Sequence, residues 1–423
     1  MNLRLLVNRQ FSSLLVRNYR IYFFGQMVSL IGTWMQTTAQ AWLVLEISGS
    51  SAALGTVTAL QFLPITLLTL FGGVFADRLP KRKMLIITQS LALVQAAVLG
   101  ILVATGTVQL WHIYLLALML GTINAFDGPV RQAFVVELVG REQLVNAVAL
   151  NSSIFNVARI IGPAVAGAAI LTVGISAAFF LNAVSYIGVL GAYAMMRPED
   201  FRAQAMKKAT GSVFSQLAEG IRYSWRTPSI LFLFILLAFI GTFGYNFSIV
   251  IPLVAKFVLH GGPGEFSVLT SAMGVGSLVA ALLLAATGQA SQRLLLIATF
   301  LFIVIFAMIA ASPWFIVTTG LLVGLGVASI FFSTTINTSL QLNVPDELRG
   351  RVMSIFFLLF AGTTPIGGWV TGYLGDVIGV PETLGIEAAI CGLGLAVALA
   401  YRFLHNTDFR EKPVLGEATP VGP

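Results

Sequence analysis

Ionisable side chains are scarce in the long apolar segments of this chain, and two of those that occur there can do chemistry. Asp127 lies close to the inner end of one segment. Arg159 lies in the next segment, roughly 16 Å from the start of that segment along a helix that rises 1.5 Å per residue. A charge at such a depth must face the protein interior and needs a partner. Asp127 can carry a proton or pair with Arg131. Arg159 can bind an anionic group or exchange partners as a proton moves; the alternative is a static pair with Asp127 or with backbone carbonyls.

A second concentration of charge, residues 73–83 with the sequence GVFADRLPKRK, stands between two apolar segments. It must lie at the water interface, because a charge near the bilayer centre costs about 2.5–3.5 kcal/mol or more. A topogenic anchor would explain the final basic triplet but not Asp77, since acidic residues add little to orientation. We therefore predict a short cytoplasmic turn that acts as a gating latch. Its predicted residues are Gly73, Asp77, Arg78, Lys81, Arg82 and, from another turn, Arg131.

Composition sets the class of protein in which these groups work. The chain is 57% hydrophobic and 10% charged, which is typical of a polytopic membrane protein. About twelve apolar segments are long enough to cross a hydrocarbon core of about 30 Å, among them residues 109–130, 148–172, 229–257 and 351–373. We predict an all-α integral membrane fold with about twelve transmembrane helices in two pseudo-symmetric six-helix bundles. The predicted divisions are an N-terminal bundle (1–197), a cytoplasmic linker (198–226), a C-terminal bundle (227–405) and a cytoplasmic tail (406–423).

An internal repeat supports the two halves. Residues 131–167 and 338–372 both pass from a segment end, through an acidic and basic turn, into a segment with a proline among glycines. Proline removes a helix hydrogen bond, while nearby glycines let another helix approach closely. The pattern predicts kinked helices, of a kind that also occurs as generic packing. The residues of this kink motif are Gly162, Pro163, Gly167 and Pro365.

Polar residues recur on one face of the first segment, at three- and four-residue steps. In lipid such a face must point inward, towards a cavity or towards another helix in a dry bundle. The predicted cavity lining comprises Gln26, Thr33, Gln36 and Gln40, with Tyr245, Asn246 and Asn337 on the opposite wall. Glu387, towards the outer end of the last segment, is expected to be solvated.

The remaining ionisable residues exclude several classes of protein. Basic residues fall in alternate loops, so the net charge of +7 indicates membrane topology rather than nucleic acid binding, with both termini cytoplasmic. Three histidines and one cysteine cannot supply a metal cluster or a nucleophile with its base, so we expect no enzyme. The sequence has no Gly-Lys dipeptide and hence no Walker loop, which favours secondary transport.

Several motifs resemble a known superfamily. Gly73-x-x-x-Asp77-Arg78 and its basic triplet resemble the signature loop of the major facilitator superfamily, with Pro80 and Lys81 where that family has glycine and arginine. Residues 158–167 resemble its antiporter motif. Residues 127–134 (DGPVRQAF), 146–152 and 349–354 (RGRVMS) extend the resemblance over almost the whole chain, to the branch that includes the enterobactin exporter and macrolide efflux proteins.

The resemblance implies an exporter of amphipathic small molecules, such as drugs or siderophore-like compounds, in a bacterial inner membrane. It also implies alternating access, the proton gradient as energy source and no cofactor. Expected partners are a small-molecule substrate and the lipid bilayer, without nucleic acid, and the chain is expected to be a monomer. An arginine in the fourth span and an acid in the first, usual in the superfamily, are missing. Uptake, lipid flipping by the same fold and a non-transporting scaffold remain alternatives.

Overall fold

Every regular element in the described part of the chain is a helix. The computed structural model describes residues 11–202, 213–287, 291–405 and 407, with the backbone alone at 70–78, 213–217, 287 and 346. Helices are what long apolar segments form in lipid, because a helix satisfies its own backbone hydrogen bonds where no water is present. The predicted all-α membrane fold is confirmed.

Five helices form the first part of the chain. They are α1 (Arg17–Ser48), α2 (Ser51–Arg78), α3 (Lys81–Ala104), α4 (Leu110–Thr172) and α5 (Ile175–Met195), with short 3₁₀ turns at Ser12–Leu15 and Pro198–Asp200. Helix α4 has 63 residues and is broken into two arms at Gly140, whose φ is 71°. A side chain at Gly140 would adopt a strained left-handed backbone, so the conformation there favours glycine.

Nine helices and a π turn follow in the second part. They are α6 (Val213–Arg226), α7 (Pro228–Phe243), α8 (Phe247–Leu253) with the π turn (Val254–Val258), α9 (Pro263–Thr287), α10 (Gln292–Ala311), α11 (Phe315–Asn343), α12 (Asp346–Phe360), α13 (Thr364–Val377) and α14 (Val380–Leu404). The described part of α6 is bent by 109° from α7. An ion pair of 2.5 Å between Glu219 and Arg351 joins α6 to α12.

The chain divides into two compact units. The first unit contains residues 1–208 and 261–271, and the second contains residues 209–260 and 272–423. In the first unit α1 packs against α4 and α5, and α3 packs against α5. In the second unit α14 packs against α7 and α10, and α12 packs against α6 and α7.

Length and composition qualify nine helical stretches in the described residues to cross a membrane, with α12 and α13 counted together as one of them, or ten if the bent pair α6–α7 forms one span. The 63-residue α4 counts as one of the nine, although its two arms contain the separately predicted segments 109–130 and 148–172. Helix α1 has 32 residues but is not among the nine. Its amides and hydroxyls make it more polar than the other helices of that length.

Two predicted spans of the second half are interrupted. The segment 229–257 is broken between α7 and α8, and the segment 351–373 is broken between α12 and α13. Pro365 occupies the first turn of α13, where its missing N–H costs no helix hydrogen bond. The expectation of a proline kink within a continuous helix is therefore wrong at Pro365, which begins a helix instead.

Small residues bring the helices of the first unit close together. Gly25 on α1 faces Val189 on α5, and Gly167 on α4 faces Ser267 in the first turns of α9. Gly162 on α4 is close to the backbone of α1, where an added Cβ would lie 2.9 Å from the carbonyl oxygen of Ile31. Close approach of small residues increases van der Waals contact between helices, which is what drives their association in lipid.

Gly162→Ala should therefore destabilise the protein, by about 1–3 kcal/mol, because the new methyl group overlaps the α1 backbone. The matched control is Gly188→Ala on α5, where nothing lies within 4 Å of an added Cβ. The control should gain about 0.5–1 kcal/mol from helix propensity. Thermal melting of the purified variants by fluorescence-detected size-exclusion chromatography measures the difference. Equal melting temperatures for the two variants would contradict the close α1–α4 contact.

Candidate functional site

Asp127 is the centre of a buried polar network in the first unit. Its side chain is 3% exposed, on the first arm of α4. Thr88 and Gln89 of α3 donate to Oδ1 at 2.7 and 2.8 Å. Arg131, one turn further along α4, donates to Oδ2 through Nε at 2.9 Å and through Nη2. Both carboxylate oxygens thus accept from two donors, the arrangement that stabilises an ionised acid.

The network extends from Asp127 to two more helices. Arg131 also donates to the side-chain oxygen of Gln26 on α1, and Gln26 donates to the Tyr193 hydroxyl on α5 at 3.0 Å. Phe134 packs edge-on against Tyr193, with 6.0 Å between ring centroids. Asp127 and Arg131 therefore form a compensated ion pair that ties α1, α3, α4 and α5 together.

Arg159 lies on the second arm of α4 and has different surroundings. Its guanidinium carbon is 5.8 Å from the centroid of the Trp34 ring on α1. Trp34 contacts the Phe155 ring edge-to-face, with 5.6 Å between centroids, and Phe155 is 47% exposed. These three residues form what we call the arginine–aromatic patch. Within the described part of the chain, Asp127 bonds to Thr88, Gln89 and Arg131, so the static pair of Arg159 with Asp127 is not formed.

The polar stripe of α1 is used mainly for contacts between helices. Gln26, Gln36 and Gln40 are all less than 5% exposed. Gln36 donates to Gln95 on α3 at 2.9 Å and accepts from Asn182 on α5 at 2.7 Å. The three amides therefore do not line an open cavity in this conformation, contrary to our expectation, because neighbouring helices supply their partners. Thr33 is half-buried, and its hydroxyl donates to the backbone of its own helix.

The three residues predicted for the opposite wall have separate environments in the second unit. The Tyr245 hydroxyl donates to the Ser329 carbonyl, and its ring stacks on Phe302 with 5.6 Å between centroids. Asn246 is fully buried, so it too does not line an open cavity here. Asn337 is half-buried and accepts from Gln341 at 2.5 Å.

The predicted latch is only partly within the described side chains, since those of Gly73, Asp77 and Arg78 lie outside them. Lys81 forms an ion pair of 2.6 Å with Glu137 at the end of the first arm of α4. Arg82 donates to the carbonyl of Tyr193 at 2.9 Å and to that of Ala194, so it caps the C-terminus of α5.

Two functional candidates escaped the sequence analysis. Glu137 was not expected as the partner of Lys81, because they are far apart in sequence. Glu387 is fully buried on α14, so the expectation that it is solvated is wrong. It lies two turns inside the helix, about 10 Å from the first residue at 1.5 Å per residue. A usable signal was present: Thr383 and Cys391, four residues before and after it, are also buried and share its helix face.

Comparison with known proteins covers nearly the whole chain. A family model described as transmembrane secretion effector matches residues 9–413. A staphyloferrin A transporter of Staphylococcus aureus is 27% identical over 86% of this chain and 91% of its own. The multidrug efflux pump Tap of Mycolicibacterium fortuitum is 26% identical over 92% and 97%. Macrolide efflux protein A of Streptococcus pyogenes is 26% identical over 86% and 91%.

Solved structures give the same fold at much lower identity. A bacterial homologue of the lysosomal transporter Spinster, in an inward-facing and unoccupied conformation, matches with a TM-score of 0.72 at 14% identity, covering 91% of this chain and 96% of its own. A bacterial homologue of the iron transporter ferroportin matches with a TM-score of 0.67 at 16% identity, covering 92% and 99%. At such identities the likeness concerns the fold alone.

Asp127→Asn should destabilise the protein by about 3 kcal/mol, because it leaves Arg131, whose side chain is only 25% exposed, without its counterion. Glu137→Gln is the matched control, since its ion pair with Lys81 is more exposed, with side-chain exposures of 23% and 17%. We expect it to cost about 1 kcal/mol or less. Thermal unfolding in detergent measures both. A double variant with Arg131→Gln should recover part of the loss, and strict additivity would contradict the coupling.

Proposed function

The chain belongs to the transmembrane secretion effector family of the major facilitator superfamily, and from that premise we propose that it exports amphipathic small molecules by proton antiport and alternating access. It is a multi-pass membrane transporter and not an enzyme. The transported molecule is a small-molecule substrate that must bind within the helical scaffold and leave on the opposite side of the bilayer.

The arginine–aromatic patch is the observation that carries the proposed substrate class. A guanidinium beside exposed aromatic surface offers one charged contact and apolar area for a flat or branched ligand. An amphipathic molecule with an anionic group satisfies both features, whereas a purely apolar molecule leaves Arg159 without a ligand contact. Arg159, Trp34 and Phe155 are therefore the residues we propose to contact substrate.

Relatives of the chain support a substrate class rather than one compound. Their names refer to a siderophore, to macrolides and to multiple drugs, and each aligns with at least 86% of this chain. We propose the same breadth here, with export rather than uptake or lipid flipping as the direction.

Topology and gating complete the proposal. Basic residues in alternate loops favour both termini in the cytoplasm of a bacterium. We propose two six-helix bundles joined by the linker 198–226, which work as a monomer by alternating access. The latch residues Gly73, Asp77, Arg78, Lys81, Arg82 and Arg131 would gate the cytoplasmic side. Gly162, Pro163 and Gly167 would shape the α4 arm that carries Arg159.

Flux in everted vesicles from cells that lack their own pumps tests the function. Vesicles energised by a pH gradient should accumulate macrolides or anionic amphipathic compounds, because the cytoplasmic face points outwards. A protonophore should abolish this accumulation by removing the driving force. Vesicles without the protein are the control. Accumulation that ignores the protonophore would contradict proton antiport, and no accumulation of any compound would favour the flippase or scaffold alternatives.

Arg159→Gln should weaken transport of anionic substrates selectively. Loss of a charged contact worth about 1.5 kcal/mol predicts about a tenfold higher KM for an anionic compound. A neutral macrolide should be affected much less. Arg222→Gln, at an exposed arginine on α6, is the matched control and should behave as wild type. An equal loss for neutral and anionic compounds would assign Arg159 to structure rather than to substrate binding.

A further inference from the structure

A second buried acid, Glu387, lies in the other unit and differs from Asp127 in having no counterion. Its side chain is 0% exposed on α14. Its Oε1 atom lies 2.5 Å from the Thr371 hydroxyl oxygen on α13, and its Oε2 atom has no hydrogen-bond partner. Among the residues that the structure describes, no lysine or arginine forms an ion pair with it.

The charged and titratable groups of the neighbouring elements do not compensate Glu387. Helix α7 has no charged or titratable side chain. Among the described residues of α14 and of the elements that pack against it, Thr371 is the residue that hydrogen-bonds to the Glu387 side chain. Those elements carry Arg293 on α10, Tyr373 and Asp376 on α13, Lys256 on the π turn, and Glu382, Cys391, Tyr401 and Arg402 on α14. Cys391 is a buried thiol one turn along. A carboxylate left ionised here would pay the full cost of desolvation.

The number of hydrogen atoms on the Thr371 hydroxyl also favours a protonated Glu387. The Thr371 hydroxyl oxygen is also 2.8 Å from the Gly367 carbonyl oxygen, which can only accept. A hydroxyl has one hydrogen, so it cannot donate to both neighbours. If Thr371 donates to Gly367, the hydrogen between Thr371 and Glu387 belongs to a protonated Glu387. If Glu387 loses its proton, the hydroxyl can turn to the carboxylate, and the Gly367 carbonyl keeps its place in the helix.

Asn246 extends this polar site into the broken span between α7 and α8. It is 0% exposed, and its amide nitrogen donates to the Thr242 carbonyl at 2.6 Å, a carbonyl at the point where α7 ends. Its Oδ1 atom has no partner. Gly367 contacts Asn246 directly, and Thr371 lies one turn further along α13, about 6 Å at 1.5 Å per residue. Two unpartnered acceptor oxygens thus flank the same helix.

We propose that Glu387, with Thr371 and Asn246, is the proton-binding site that couples export to the proton gradient. The inference rests on the proposed proton antiport and assigns its coupling acid to the second unit. Glu387 binds a proton when the site is closed as in this structure. It releases the proton when water or substrate reaches Oε2, and Thr371 then donates to the carboxylate. Asp127, held by Arg131, does not exchange a proton in this scheme.

Glu387→Gln tests the site, because glutamine is neutral, nearly isosteric and able to donate to Thr371. The variant should still exchange labelled for unlabelled substrate across vesicle membranes, since exchange moves no net proton. Accumulation driven by a pH gradient should fall by about tenfold or more, within the range of coupling between linked sites. Glu382→Gln, an exposed acid on the same helix, is the control and should accumulate as wild type.

Infrared spectroscopy of the purified protein at neutral pH gives a readout independent of transport. Wild type should show a protonated carboxylic acid band that Glu387→Gln lacks and Glu382→Gln keeps. Thr371→Val retains the acid but loses its hydroxyl partner, so the band should shift in frequency. The infrared measurement tests whether Glu387 is protonated even if the wild-type protein transports nothing. An absence of transport would contradict the proposed function and, with it, the coupling role of Glu387.

Three results would overturn the coupling site. One is protonophore-sensitive accumulation by Glu387→Gln at the wild-type level. Another is a wild-type infrared spectrum without a band that depends on Glu387. The third is accumulation that requires a sodium gradient instead of a pH gradient, which would make the oxygens of Glu387 and Asn246 ligands of a metal cation.

Discussion

The cost of a buried charge in a membrane protein is the constraint on which the rest of this structure depends. In the first unit that cost is offset locally: Asp127 accepts four hydrogen bonds, two of them from Arg131, and the pair in turn orders Gln26 and Tyr193. In the second unit, no lysine or arginine of the described residues pairs with Glu387, and its partner among those residues is the Thr371 hydroxyl. The two acids therefore have opposite chemistry: Asp127 stabilises a helix bundle as an ion, and Glu387 stays buried only while it holds a proton.

The same constraint explains how the helices pack. Amide side chains that would be costly against lipid are paired across helices, as Gln36 is with Gln95 and Asn182. Gly32 on α1 lies opposite Asn182 and allows the close approach that lets the amides of Gln36 and Asn182 meet. Arg159 lies beside Trp34 and Phe155, and our proposal is that a ligand uses both its charge and the aromatic surface.

Much of this arrangement could be predicted from the sequence, and the failures have a common cause. Apolar length predicted the helices, and the polar periodicity of α1 predicted which face turns inward. Periodicity does not indicate whether that face meets a cavity or a neighbouring helix, so Gln26 and Gln36 were assigned to the wrong surroundings. The depth of a side chain in the membrane was equally hard to predict. Glu387 was expected to be solvated near the helix end, but it lies two helical turns inside and is buried. Pro365 was a local signal that could equally mark a kink or the first turn of a new helix, and we predicted the kink.

The most direct measurement of the central claim uses sealed proteoliposomes that contain only this protein and a pH-sensitive dye inside. An imposed substrate gradient should drive protons across the membrane in the direction opposite to substrate, and the dye should record this without any other energy source. A stable internal pH during substrate movement would contradict proton antiport, and with it the assignment of Glu387 as the coupling acid.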